Sequence, residues 1–105
     1  RYKMSEESER IKRLMELLAE EATWQGRLNG HRGQAEVAER EAEYWEEHLE
    51  EGGDDVEDFI KQKWKRNLEK AKARAEYHRK QALEAKKKLR EIRKEIDKII
   101  GGDKE

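Results

Sequence analysis

Imidazole is the side chain in this chain best suited to chemistry, and its three carriers are unevenly placed. His31 lies inside Trp24–Ala38, WQGRLNGHRGQAEVA, a stretch that also holds Gly26, Gly30 and Gly33. His78 lies in an alanine-rich run, KARAEYHRKQALEA, in the other half. His48 stands near Glu47 and Glu51 and reads as a solvated surface histidine. There is no cysteine, which excludes thiolate ligands, disulfides and cysteine nucleophiles. The sequence holds no phosphate-cradling glycine loop, no HExxH pair and no nucleophile elbow. Ser5, Ser8 and Thr23 are the only aliphatic hydroxyls. These absences make an enzyme the wrong expectation. What remains is imidazole as a ligand, as a hydrogen-bonding pair, or as part of a small-metal site.

The elements that must position these residues follow from composition and period. The 105 residues allow one domain, 1–105. Charged residues make up 49% and apolar ones 33%, a balance that suits a thin, solvent-rich helical assembly if the apolar residues are periodic. Proline is absent. No run approaches the ~18 apolar residues of a membrane span, and RYKM lacks the apolar segment of a signal peptide. A soluble protein is expected, with no membrane partner. Residues 1–52 hold 8 Lys/Arg and 14 Asp/Glu, a net −6, and residues 53–105 hold 17 and 12, a net +5. Two helices of opposite charge pairing with each other explain this better than a nucleic-acid surface, because no aromatic residues interleave the basic ones.

The period is helical. Ser5 is a plausible N-cap, with Glu6, Glu7 and Glu9 at the positive end of the dipole. With Leu14 as heptad position a and Leu17 as d, the a positions run Leu14, Glu21, Leu28, Ala35, Ala42 and Leu49. The d positions run Leu17, Trp24, His31, Ala38 and Trp45. One frame passes through the glycines without a skip, so residues ~5–51 read as one helix. The alternative is a three-helix arrangement broken near Gly30–Gly33, since each interior glycine costs about 1 kcal/mol. Glu21 at an a position is a specificity device, a histidine's outer partner, or a solvated end of the bundle. A turn follows at 52–54, where Gly52 or Gly53 suits a C-cap and Asp54 or Asp55 an N-cap. The second helix reads ~55–100, with d positions Trp64, Ala71, His78, Ala85, Ile92 and Ile99 and a positions Leu68, Ala75, Ala82, Leu89 and Ile96.

Folding at that turn gives an all-α antiparallel hairpin in which facing d residues have numbers summing to about 109. His31 then meets His78, Trp45 meets Trp64, and Leu17 meets Ile92. The central layers hold Ala35, Ala75 and Ala82, so the core is expected to be emptied around two imidazoles. A second stripe, Met15, Ala19, Ala22, Gly26, Gly30, Gly33, Val37 and Tyr44, shares the face of helix 1 turned away from helix 2. Small residues there admit another backbone or a flat ligand. A homodimer of hairpins forming a four-helix bundle is the expected assembly.

The absent Pro and Cys, the EGGDD turn, the strict frames, the complementary charges and surfaces such as EAKKKLREIRKEIDK together resemble a de novo designed helical bundle. Designed bundles that bind tetrapyrroles place histidine on a core position among small residues, as His31 and His78 are placed. The resemblance implies a recombinant synthetic protein that binds haem, another metalloporphyrin or a chlorophyll-like pigment. His31 or His78 would be the metal ligand, with Gly26, Gly30, Gly33, Ala35, Ala75, Ala82 and Trp24 around the cofactor. The glycine stripe departs from that pattern and leaves open whether the site lies inside the hairpin or between copies. Zinc, or no ligand at all in a self-assembling scaffold, is the alternative.

Overall fold

The computed structural model describes residues 5–52 and 55–101. It has two helices, α1 (Glu6–Gly52) and α2 (Asp58–Gly101), which pack against each other. α1 passes through Gly26, Gly30 and Gly33 without interruption, so the three-helix alternative does not hold. The unbroken heptad frame explains this: each buried a and d residue favours continuing the helix, and together they outweigh the glycine penalty. Ser5 caps α1 as expected, its Oγ accepting from Ser8 N at 3.1 Å. α2 begins three residues later than its sequence suggested. The Glu57 carbonyl accepts the first bonds, from Ile60 N at 3.0 Å and Lys61 N at 3.1 Å. Val56 Cγ2 lies close to Gly52, the last residue of α1. The caps expected at Gly53 and Asp54 lie outside the described residues.

Two compact units divide the chain. The first comprises residues up to Leu28 with those from Leu83 onward. Its core is Leu17, Ile92 and Ile96, packed by Leu14, Trp24 and Ile99, so the expected Leu17–Ile92 and Leu14–Ile96 layers fall in one cluster. Arg13 bridges to Glu95 at 2.9 Å, and Arg93 bridges to Glu21 at 3.0 Å. The Glu95 hydrogen bond raises the Arg13 pKa above its ordinary value. Glu21 therefore occupies its a position as an ion-pair acceptor, not as a partner of a histidine. Arg10 closes the far end by donating to the Ile99 carbonyl at 2.8 Å, one of the orphan acceptors at a helix C-terminus.

The second unit is Asn29–Ala82. Ala35, Ala38, Ala42, Ala71, Ala75 and Ala82 are all buried within it. Ion pairs flank them: Glu39 with Arg79, Glu41 with Arg74 and Glu46 with Lys72. In all three the acid is on α1 and the base on α2, which is the complementarity read from the two halves of the sequence. The pairs join e to e and g to g positions, the arrangement of antiparallel helices. No helix among the described residues is long and apolar enough to cross a membrane.

Candidate functional site

His31 and His78 reach each other from facing d positions. Their Nδ1 atoms are 2.9 Å apart, and the ring centroids 5.1 Å apart with planes tilted by 35°. Both rings are half-buried. Alanine at the neighbouring core positions brings the helices close enough for this contact. The expectation of an opening between the two walls is corrected here, because small side chains draw the backbones together and the imidazoles fill the layer. Tyr77 adds a third ring, edge-on to His31 at 6.3 Å and to His78 at 5.1 Å.

When both rings are neutral, the contact fixes their tautomers. Two nitrogens at 2.9 Å form a hydrogen bond only if one carries the proton and the other a lone pair. A neutral imidazole has a single N–H. The ring that donates through Nδ1 therefore keeps a lone pair on Nε2, and the ring that accepts carries its proton on Nε2. One imidazole of the pair is thus set in the tautomer that ligates metal through Nε2, with its other nitrogen held by a hydrogen bond. Next to His78 in the chain, Arg79 pairs across the helices with Glu39. Its hydrogen bond raises the Arg79 pKa above the ordinary value.

The same distance limits what the pair could hold. Two histidines sandwiching a metal need their ligating nitrogens roughly 4 Å apart, twice a metal–nitrogen bond of about 2 Å. At 2.9 Å the His31 and His78 Nδ1 atoms leave no space for a metal between them. A single axial imidazole, with its partner acting as the hydrogen-bond acceptor, fits. Among the described residues no three His, Asp or Glu side chains gather as a metal site, so zinc would need ligands from a second copy.

The remaining candidate residues divide. Ala35, Ala75 and Ala82 line the core of the histidine-bearing unit. Gly26, Gly30 and Gly33 are exposed, and a Cβ built on any of them would meet nothing within 4 Å. They face away from α2, so no contact joins them to the imidazoles within the chain. Trp24 belongs to the other unit, where its ring packs on the Leu17 cluster and lies 4.4 Å from the Arg27 guanidinium.

His48 corrects the surface reading. Its half-buried ring stands between Trp45 and Trp64, at 5.7 Å and 5.3 Å, and 4.1 Å from the Tyr44 ring. The two indoles were expected to face each other directly. His48 stands at a g position, which flanks the core of a packed pair. The Tyr44–His48 spacing of four residues, one helical turn, was the signal that placed these rings together. The chain matches no protein-family model, no curated protein and no solved structure.

Proposed function

We propose that this chain is a helical bundle of the designed kind that holds a metallated tetrapyrrole through one axial imidazole of the His31–His78 pair. The group would be haem, another metalloporphyrin or a chlorophyll-like chlorin. The observation that carries this reading is the 2.9 Å Nδ1–Nδ1 contact. In the neutral pair it leaves one Nε2 lone pair on a half-buried ring. Ala35, Ala75 and Ala82 are buried between the helices, so a flat ring would reach the pair from outside the helix–helix contact. The bound group supplies the absorption and the redox or photochemistry, and the chain supplies binding and orientation.

The same reading includes a homodimer that builds a four-helix bundle. α1 is apolar or small on two opposite faces, and α2 covers only one of them. Met15, Val37 and Tyr44 are exposed on the outer side, with open glycines among them. Three pairs within the stripe are placed symmetrically about one point, Met15 with Tyr44, Ala22 with Val37 and Gly26 with Gly33, while Ala19 and Gly30 fall opposite Arg40 and Asn29. A second copy running antiparallel would set these pairs together, as a two-fold axis perpendicular to α1 would do.

Titrating apo-protein with haem or a zinc chlorin tests the cofactor. A histidine-dependent absorption shift saturating at one ligand per chain is expected. No shift, or a shift that survives His31→Ala combined with His78→Ala, overturns it. The exposed stripe also favours a second reading, a self-assembling scaffold without a ligand. In that case ultracentrifugation finds the dimer while the titration finds no binding. A zinc ion held by the four histidines of a dimer is distinguished by one zinc bound per two chains.

A further inference from the structure

We propose that the C-terminal end of α1 carries a separate site for a borderline divalent metal ion, copper(II) above the others, held by His48 Nε2 and the Glu51 carboxylate. The site is independent of the tetrapyrrole reading and uses none of its residues. His48 Nδ1 lies 3.1 Å from the Tyr44 carbonyl oxygen. A carbonyl only accepts, so Nδ1 is the protonated nitrogen. The neutral ring is left with its lone pair on Nε2. A histidine whose second nitrogen donates to a backbone carbonyl is in the tautomer and orientation that metal ligation needs. The Trp45 and Trp64 rings, at 64° and 86° to the imidazole plane, limit its rotation further.

The second ligand comes from the helix period. Glu51 is three residues on and so shares a face with His48. Both line a groove of about 240 Å³ together with Gly52 and Trp64. No ion pair engages Glu51 among the described residues, so its carboxylate is available to a cation. The Trp64 ring packs directly on Gly52 and forms one wall of the groove, so the ion and its waters would lie on the solvent side of His48 and Glu51. Two protein donors and bound waters satisfy the tetragonal preference of copper(II). Copper(II) also stands highest in the affinity order of divalent ions for nitrogen and oxygen sites.

The neighbouring indoles provide the readout. Copper(II) quenches tryptophan fluorescence at short range, and His48 is in ring contact with two tryptophans. The chain carrying His31→Ala and His78→Ala is stripped with a chelator and titrated with copper(II) alone. Quenching that saturates at one ion per chain is expected. Glu51→Gln weakens the binding by about tenfold, and His48→Gln removes the saturable phase, in line with the loss of a ligand. Zinc, which does not quench and binds such sites more weakly, restores the emission only when added in large excess over copper. Quenching that persists in His48→Gln, or that disappears when His31 and His78 are removed, overturns the proposal. Electron paramagnetic resonance of the one-to-one complex gives a measure that needs no His48 variant. Coupling to one imidazole nitrogen supports the site, and its absence overturns it.

Discussion

The Nδ1 atoms of His31 and His78 lie 2.9 Å apart, so in the neutral state the two imidazoles of one layer hold different tautomers. That asymmetry is the prerequisite for a single axial ligand, and it can be observed without any cofactor. At mildly alkaline pH, long-range nitrogen–proton spectra of the apo-protein should show one ring protonated at Nδ1 and the other at Nε2. His78→Ala should release His31 to the Nε2-protonated form that free imidazole prefers. Two rings with identical nitrogen shifts would show that the pair is not hydrogen-bonded in solution.

Much of this arrangement was legible in the sequence, because heptad periodicity and a single turn constrain each other. Once Leu17 and Ile92 are placed in one layer, His31 and His78 have no other partner available. The emptied centre was misread. Alanine at Ala35, Ala75 and Ala82 shortens the distance between helices and does not leave a void, and no pattern of residue types gives an interhelical distance by itself. The surroundings of His48 were missed for a related reason. A heptad letter assigns a face, but large rings such as Trp45 and Trp64 extend sideways and take in a g residue. The start of α2 depended on the side chain of Val56 meeting Gly52, a contact with no periodic signature.

Gly52 is the glycine where a side chain would matter most. A Cβ there would lie 2.7 Å from Trp64 Cζ3 and 3.2 Å from Val56 Cγ2. Gly52→Ala should therefore destabilise the hairpin by about 1–3 kcal/mol, the usual cost of overpacking. At Gly101 nothing lies within 4 Å of a Cβ, so Gly101→Ala serves as a control with no overpacking cost. Urea denaturation of the two variants measures the difference. Equal midpoints would mean that the Trp64 ring moves aside freely.

Gly30 and Gly33 give the opposite sign within the chain and a penalty between chains. Their Cβ positions are open, and both are helical. Replacing each with alanine should stabilise α1 by roughly 0.5–1 kcal/mol through backbone entropy alone. At a close interface the same methyl groups hold two backbones apart. Gly30→Ala with Gly33→Ala should therefore raise the unfolding midpoint at low protein concentration. The dimer dissociation constant should rise by about tenfold, or ~1.4 kcal/mol. Sedimentation equilibrium separates the two effects. A dimer that tightens in this variant would place the interface elsewhere.

The symmetric pairs within the stripe make the orientation of the dimer testable. In an antiparallel pair of α1 helices Ala22 of one copy lies opposite Val37 of the other, and Gly26 lies opposite Gly33. A disulfide requires Cα atoms within about 7 Å, a distance that glycine-mediated helix contacts allow. The chain has no native cysteine, so introduced thiols report without interference. Ala22→Cys mixed with Val37→Cys should give a cross-linked heterodimer under mild oxidation, while each variant alone stays mostly reduced. A parallel arrangement reverses this, because each residue then meets its own counterpart and both single variants cross-link with themselves. Non-reducing electrophoresis tells the two apart. The antiparallel result places a two-fold axis perpendicular to α1 near the middle of the glycine stripe, and the parallel result places it along the helices.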